Sequence, residues 1–439
     1  MGRPVDDSAA GIFRRAGVKV AAADLDFGDF VRAGDSIIWG QGAGEPTTLI
    51  EALIAQRARL GGVSVFAGSS FSDVLQPEHA DHIGFSSMGA LGGLARLARA
   101  GVLGIVPCHV GQIAALIASG RIDCDVAMVQ VSPAGPEAGH SYGLINDYTQ
   151  AAVARARLVI AEVNDQVPFT LGDAMLMPER IDVLVESSRP LTELKAPPAA
   201  PTDAAIAAHI GRYIEDGSVL QMGIGSIPEA ITRLVTDRRD LGVHSGMIGD
   251  GVWQLMERGV VTNARKAQHP GVTVTGALIG SRGLYDFAHR NPALRLFRSD
   301  HTHAEAVLAA IAGLVTINSA VEVDLTGQVN AETVGAAYVG ATGGQVDYVR
   351  GGARAPSGHS IIALPATAKG GTVSRIVAAL SGPVTTARSE VDIIVTEYGA
   401  AELRGVTLTE RARRMIAIAD PAFRETLAEA AWAIARRGF

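Results

Sequence analysis

Cysteine is nearly absent from this 439-residue chain, with Cys108 and Cys124 as the whole complement. That excludes a disulfide framework and any CxxC metal pattern, and it points to a reducing, cytoplasmic setting. Aromatic residues make up only 5% of the chain. Lysine is confined to positions 19, 195, 266 and 369, and the formal net charge is −7. A nucleic-acid or anionic-membrane partner wants a basic face, so neither is expected. No apolar run reaches the roughly 18 residues that argue for a membrane span. Met1 to Ala10 also lack the basic-then-apolar order of a secretory signal. Small-molecule chemistry is the class that survives these exclusions.

What the chain does have is glycine, 51 residues of it, within a sequence that is 48% hydrophobic. Two glycine loops repeat one pattern at a spacing of 182 residues: Ser36-Ile-Ile-Trp-Gly-Gln-Gly-Ala-Gly-Glu-Pro46 and Ser218-Val-Leu-Gln-Met-Gly-Ile-Gly-Ser-Ile-Pro228. Each runs from an apolar strand through glycines and a proline towards an amphipathic helix, with Leu49 and Leu53 in step with Ile231 and Val235. Glycine lets backbone amides approach a ligand, and a helix N-terminus carries free N–H groups and a positive dipole end. An anion site in each half, facing a common cleft, is the expectation.

Around the first loop, strand signals (Ser36–Trp39, Val63–Phe66, Gly104–Pro107, Val126–Val131, Leu158–Val163) alternate with helical ones (Thr47–Leu60, Gly89–Ala100, Gly111–Ser119, Asp147–Ala156). Such alternation predicts a parallel sheet built through crossover helices. A proline-rich stretch from Pro190 to Pro201 reads as an interdomain linker. It divides the chain into domains 1–197 and 198–439. The second half restarts with a helix, Asp203–Glu215, continues with strands at Val272–Thr275, Leu314–Asn318, Ile361–Leu364 and Asp392–Thr396, and closes with a helix, Pro421–Arg437. Between these, Val339 to Gly352 reads as a long glycine-rich ligand loop.

Neither glycine loop is a dinucleotide fingerprint, since the third glycine position is Thr47 in one and Pro228 in the other. Gly139-His-Ser-Tyr-Gly143 matches a nucleophile elbow in letters, making Ser141 the candidate of a serine-hydrolase alternative. The nearest strand, however, ends near Val131 and a proline-containing loop intervenes, so Ser141 is not expected to be a nucleophile. Histidines do not cluster at metal spacing, and no metal is predicted. Cys108 reads as a small buried hydrophobe. Glu322 and Asp324 read as holders of polar contacts at a strand end. Glu45 lies beyond the carboxyl end of the first strand, where open α/β sheets bind ligands; its other reading is a first-turn acid on its own helix dipole.

Several segments together resemble the acetyl-CoA hydrolase/transferase family of class I CoA-transferases, from about Gly34 to Phe423. They are Gln221-Met-Gly-Ile-Gly-Ser-Ile-Pro228, Asp250-Gly-Val, Gly259-Val-Val-Thr-Asn263, Ile317-Asn-Ser-Ala, Asp324-Leu-Thr-Gly-Gln-Val-Asn330, Gly343-Gly-Gln-Val-Asp-Tyr-Val-Arg-Gly351, Ala363-Leu-Pro-Ala-Thr-Ala-Lys369 and Thr396-Glu-Tyr-Gly-Ala-Ala-Glu-Leu-Arg-Gly405. The resemblance implies two related open α/β domains of the CoA-transferase (NagB/RpiA-like) type. It also implies a homodimer or dimer of dimers, no tightly bound cofactor, and coenzyme A or acyl-CoA as substrate beside a small carboxylic acid. By match, CoA contacts fall on Gly223, Ile224, Gly225, Ser226, Ile227, Gly343, Gly344 and Lys369. The family places its catalytic glutamate in a His-Thr-Glu-Met stretch, and this chain reads His244-Ser-Gly-Met247. Gly246 cannot form the glutamyl-CoA thioester of that mechanism. Glu45 is the expected replacement, with CoA exchange between short carboxylic or dicarboxylic acids as the activity and acyl-CoA hydrolysis as the alternative.

Overall fold

The computed structural model describes residues 17–436. The readings of Met1 to Ala10 and of Arg437 therefore lie outside the described residues. Eight strands form the first sheet, in the order Val18–Val20, Val183–Ser187, Leu158–Asn164, Val126–Val131, Ser36–Trp39, Val63–Phe66, Ile83–Ser87, Leu103–Ile105. Every pairing in it is parallel. All six residues of Val126–Val131 are buried because both faces of the sheet are covered. Thr47–Gln56 and Leu94–Arg99 pack with Trp39 and Ile160 on one face, and Val110–Ala118 and Thr149–Arg155 with Ile38 and Val129 on the other.

The second sheet runs Gly242–Val243, Val219–Met222, Leu314–Ser319, His359–Ala363, Ile393–Thr396, Gly399–Glu402, parallel except for its last pair. Helices Pro201–Ile210 and Ser226–Leu234 cover one face, while Leu408–Ala417 and Arg424–Ala435 help cover the other. Residues 188–200 hold no helix or strand. The first half nonetheless reaches across, since Leu171–Gly172 pairs with Leu294–Leu296 of the second. Among the described residues, no helix is long and apolar enough to cross a membrane.

The internal repeat appears as topology. Ser36–Trp39 lies between Val63–Phe66 and Val126–Val131, just as Val219–Met222 lies between Gly242–Val243 and Leu314–Ser319. The letter-by-letter spacing does not survive. The first helix starts at Thr47, after the connection 40–46, whereas the second starts at Ser226, after only 223–225. Pro46 precedes its helix and Pro228 sits inside the other's first turn, so the two prolines are not structural equivalents.

The stretch read as a long loop is also corrected, because Gln345–Arg354 is a helix. Its glycines answer to packing: a Cβ on Gly351 would lie 2.4 Å from Leu308 Cβ, and one on Gly352 2.8 Å from Thr316 Oγ1. Sequence reading also missed Ile83–Ser87 and Val183–Ser187.

Candidate functional site

The two glycine loops have different fates. Glu162, fully buried on Leu158–Asn164, turns its carboxylate to the start of Thr47–Gln56. It accepts from Thr48 N at 3.0 Å, Leu49 N at 3.4 Å, Thr48 Oγ1 at 2.7 Å and Ser187 Oγ at 2.8 Å. An internal anion thus occupies the helix N-terminus expected to bind an external one, so the anion site predicted for the first half is not open. In the second half no side chain caps Ser226–Leu234, and Gly225 has φ of 128°, which favours glycine. Gly223, Ile224 and Gly225 line a cleft of about 460 Å³ together with Lys195 and Asp250. Ser226 is half-buried beside them. Ile227 packs into the core, so only its main chain is free to face a ligand.

The missing glutamate position lies next to this loop. The pairing Val219↔Gly242 and Leu220↔Val243 ends there, and two residues on, Ser245 Oγ donates to Met222 O at 3.0 Å. Gly246 follows directly on Ser245, as Gly223 does on Met222. A Cβ on Gly246 would lie 2.6 Å from Cε1 and 2.7 Å from Nε2 of His303, and 3.0 Å from Tyr348 Oη. The room for a side chain at 246 is already filled.

Glu45 is 3% exposed. Its Oε2 accepts from Phe71 N at 2.8 Å and Ser72 N at 2.9 Å, which ties it to the loop after Val63–Phe66. Its Oε1 is buried without a partner. Burial, opposed by these hydrogen bonds, raises its pKa above the usual carboxylate range.

The acetyl-CoA hydrolase/transferase N-terminal domain matches residues 19–193 and the C-terminal domain of the same name matches 280–431. The 4-hydroxybutyrate coenzyme A transferase of Clostridium kluyveri is 39% identical over 396 residues, covering 89% of this chain and 92% of that one. The chain belongs to the acetyl-CoA hydrolase/transferase family. A second relative, the succinyl-CoA:cyclohexane-1-carboxylate CoA transferase of Geobacter metallireducens, is 35% identical over 91% of this chain and 92% of its own. RipA from Yersinia pestis superposes with a TM-score of 0.88 at 34% identity, covering 92% of this chain and 95% of that one.

In this family member Gly343 and Gly344 sit where the two halves meet. Gly343 O accepts from Val110 N at 3.1 Å. A Cβ on Gly344 would lie 2.6 Å from His303 Nε2, so the His303 ring is flanked by Gly344 and Gly246. Lys369 stands apart, exposed at the tip of a hairpin between Thr367–Ala368 and Val373–Ser374, with φ of 48°.

The competing nucleophiles are structural. Ser141 is 2% exposed; its Oγ donates to Thr170 O at 2.8 Å and accepts from Gly143 N and Thr170 N, each at 3.1 Å. After Ser141 the next helix starts only at Thr149, so the elbow geometry is absent. Burial pushes the Cys108 thiol up to about 11, which keeps it a thiol at neutral pH. Glu322 accepts from Asn330, and from Ser381 through both N and Oγ; Asp324 accepts from Thr326 and Gln328. Among the described residues no three His, Cys, Asp or Glu side chains gather in a metal-binding group.

Sequence reasoning missed Glu162 and the special place of His303. His303 lies far along the chain from Gly246, and only the tertiary fold brings them together. The one available signal was the glycine at 246 itself.

Proposed function

We propose that this protein is a CoA-transferase that exchanges CoA between short-chain carboxylic or dicarboxylic acids. The observation that carries the reading is the uncapped helix start after Gly223, Ile224 and Gly225, which line an open cleft, while its twin in the first half is closed by Glu162. Amides at such a start suit the oxyanion of a tetrahedral intermediate at a thioester carbonyl. The relatives named above support a carboxylic acid as the second substrate. Gly343, Gly344 and Lys369 are the further CoA contacts in this proposal, and the working division is 1–197 and 198–439. Two buried free thiols fit a cytoplasmic setting, and the family reading adds a homodimer, which size-exclusion chromatography with light scattering tests.

Glu45 is the proposed carrier of CoA as a glutamyl thioester. The unpartnered Oε1 supports it; the two amides on Oε2 set a condition, because an acyl group reaches this carboxylate only when the loop at 70–72 opens. Incubation with a range of short acyl-CoAs, borohydride reduction and peptide mapping tests the assignment. A modified peptide containing Glu45, lost in Glu45→Gln along with turnover, supports it. An adduct elsewhere, or normal turnover in Glu45→Gln, returns Glu45 to a purely structural role. Exchange of label between acyl-CoA and free acid, measured alongside hydrolysis, separates transferase from hydrolase.

A further inference from the structure

The segment 188–200 that joins the two halves is fastened at both ends of its middle part. Thr192 O accepts from Tyr285 Oη at 2.8 Å, Glu193 Oε2 accepts from Arg282 N at 3.0 Å, and Leu194 N donates to Gly280 O at 3.0 Å. Farther on, Asp203 Oδ2 accepts from Ala200 N at 2.8 Å, at the entry to the helix Pro201–Ile210. The few residues between these anchors, Lys195 among them, are thereby held in place although they form no helix or strand.

This fastening lays Leu194 to Pro197 along the cleft of about 460 Å³ that Gly223, Ile224 and Gly225 line. Pro228, Glu229 and Thr232 line it too; spaced three or four residues apart, they share one face of the helix Ser226–Leu234. The cleft therefore follows that helix for about 10 Å from its open start. Lys195 is the only basic side chain that lines it among the described residues. Both carboxylates there are already engaged: Glu229 pairs with Arg233 at 3.0 Å, and Asp250 Oδ1 accepts from Ser281 N at 2.9 Å and from Ser281 Oγ at 3.0 Å. Neither is left to neutralise the Lys195 ammonium. A cation and the positive end of a helix thus meet in one cleft, and an anionic ligand offsets both.

We propose that Lys195 binds a phosphate group of CoA, either its diphosphate or its 3′-phosphate, with the thioester end of the molecule toward the glycine loop, so that the segment joining the two halves is part of the CoA site. The order follows from the chemistry. Main-chain amides suit a carbonyl oxygen on which charge develops during reaction, whereas a compact ammonium suits a full and permanent charge. This inference rests on the CoA-binding reading of the open loop but not on which residue carries the thioester.

The test measures binding without turnover. Titration calorimetry compares CoA, dephospho-CoA, which lacks the 3′-phosphate, and pantetheine, which lacks every phosphate, in the wild type, Lys195→Ala, Lys195→Glu and Lys195→Arg. The side chain is exposed, so all three variants should keep the wild-type melting temperature. CoA should bind Lys195→Ala about tenfold more weakly than the wild type, Lys195→Glu more weakly still and Lys195→Arg nearly as well, and the difference between Ala and wild type should shrink with added salt. Pantetheine should bind all four proteins alike. Disappearance of the Ala effect with dephospho-CoA assigns the contact to the 3′-phosphate, and its persistence assigns it to the diphosphate. Wild-type affinity for CoA in Lys195→Ala and Lys195→Glu overturns the proposal, and so does an equal loss for pantetheine, which carries no phosphate to contact. A wild type that binds no CoA at all defeats the CoA-binding reading and this inference with it, whereas CoA binding that ignores residue 195 defeats the inference alone.

Discussion

Asp347 Oδ2 accepts a hydrogen bond from Gly111 N at 3.1 Å, joining the start of Gln345–Arg354 in the second half to the start of Val110–Ala118 in the first. Burial raises this carboxyl to about 6, against 3.8 for an ordinary aspartate, while the Gly111 bond works the other way. The native state therefore holds the proton more tightly between those values. The stability from that difference is present below about pH 4 and lost as pH rises through 6. Urea midpoints measured from pH 3.5 to 7 should fall with rising pH more steeply in the wild type than in Asp347→Asn.

Glu162 engages internal donors from Thr48, Leu49 and Ser187. Glu162→Gln places an amide group against donors from Thr48, Leu49 and Ser187, leaving at least one unsatisfied, and should cost about 1–3 kcal/mol of stability. Chemical denaturation measures the loss, and CoA affinity under folding conditions should not change. A parallel loss of CoA affinity would mean that the first glycine loop binds ligand after all.

Lys266 is 6% exposed, and its Nζ donates to Val243 O at 2.8 Å and Val272 O at 2.7 Å, beneath the segment leading to His244. Burial lowers it to about 7 from an ordinary 10.5. Between these values the unfolded chain binds more protons than the native one, so stability should rise as pH increases from about 7 to 10.5. Lys266→Met should flatten that rise in denaturation curves taken across the interval.

Fluorophosphonate probes should leave Ser141 unlabelled, since its hydroxyl is buried and fully engaged. Ser141→Ala should leave turnover intact and lower stability by about 1–3 kcal/mol, because the Gly143 and Thr170 amides lose their acceptor. Stoichiometric labelling of Ser141 with loss of thioesterase activity would favour the serine-hydrolase alternative.

Lys369 has the exposure and hairpin placement to meet a CoA phosphate. Lys369→Ala should weaken CoA binding by about 1–3 kcal/mol, the range of a charge-assisted contact, and the effect should shrink with added salt. Unchanged affinity in titration calorimetry would remove Lys369 from the site.

The sequence by itself determined the alternation of buried strands and helices, because a parallel sheet covered on both faces demands apolar runs such as Val126–Val131 at regular intervals. It also determined the second glycine loop, since Gly225 adopts a backbone angle that other residues resist. The strand Ile83–Ser87 was hidden because Gly84 and three serine or phenylalanine positions carry no clear period. The helix Gln345–Arg354 was hidden because Gly351 and Gly352 read as loop residues, although Leu308 and Thr316 press on them from outside the helix. Only the tertiary structure decided which glycine loop stays open. That choice depends on Glu162, a carboxylate supplied by a strand more than a hundred residues beyond the helix it caps. It likewise decided what stands at residue 246, because steric exclusion acts through space and His303 arrives there from a separate turn of the chain.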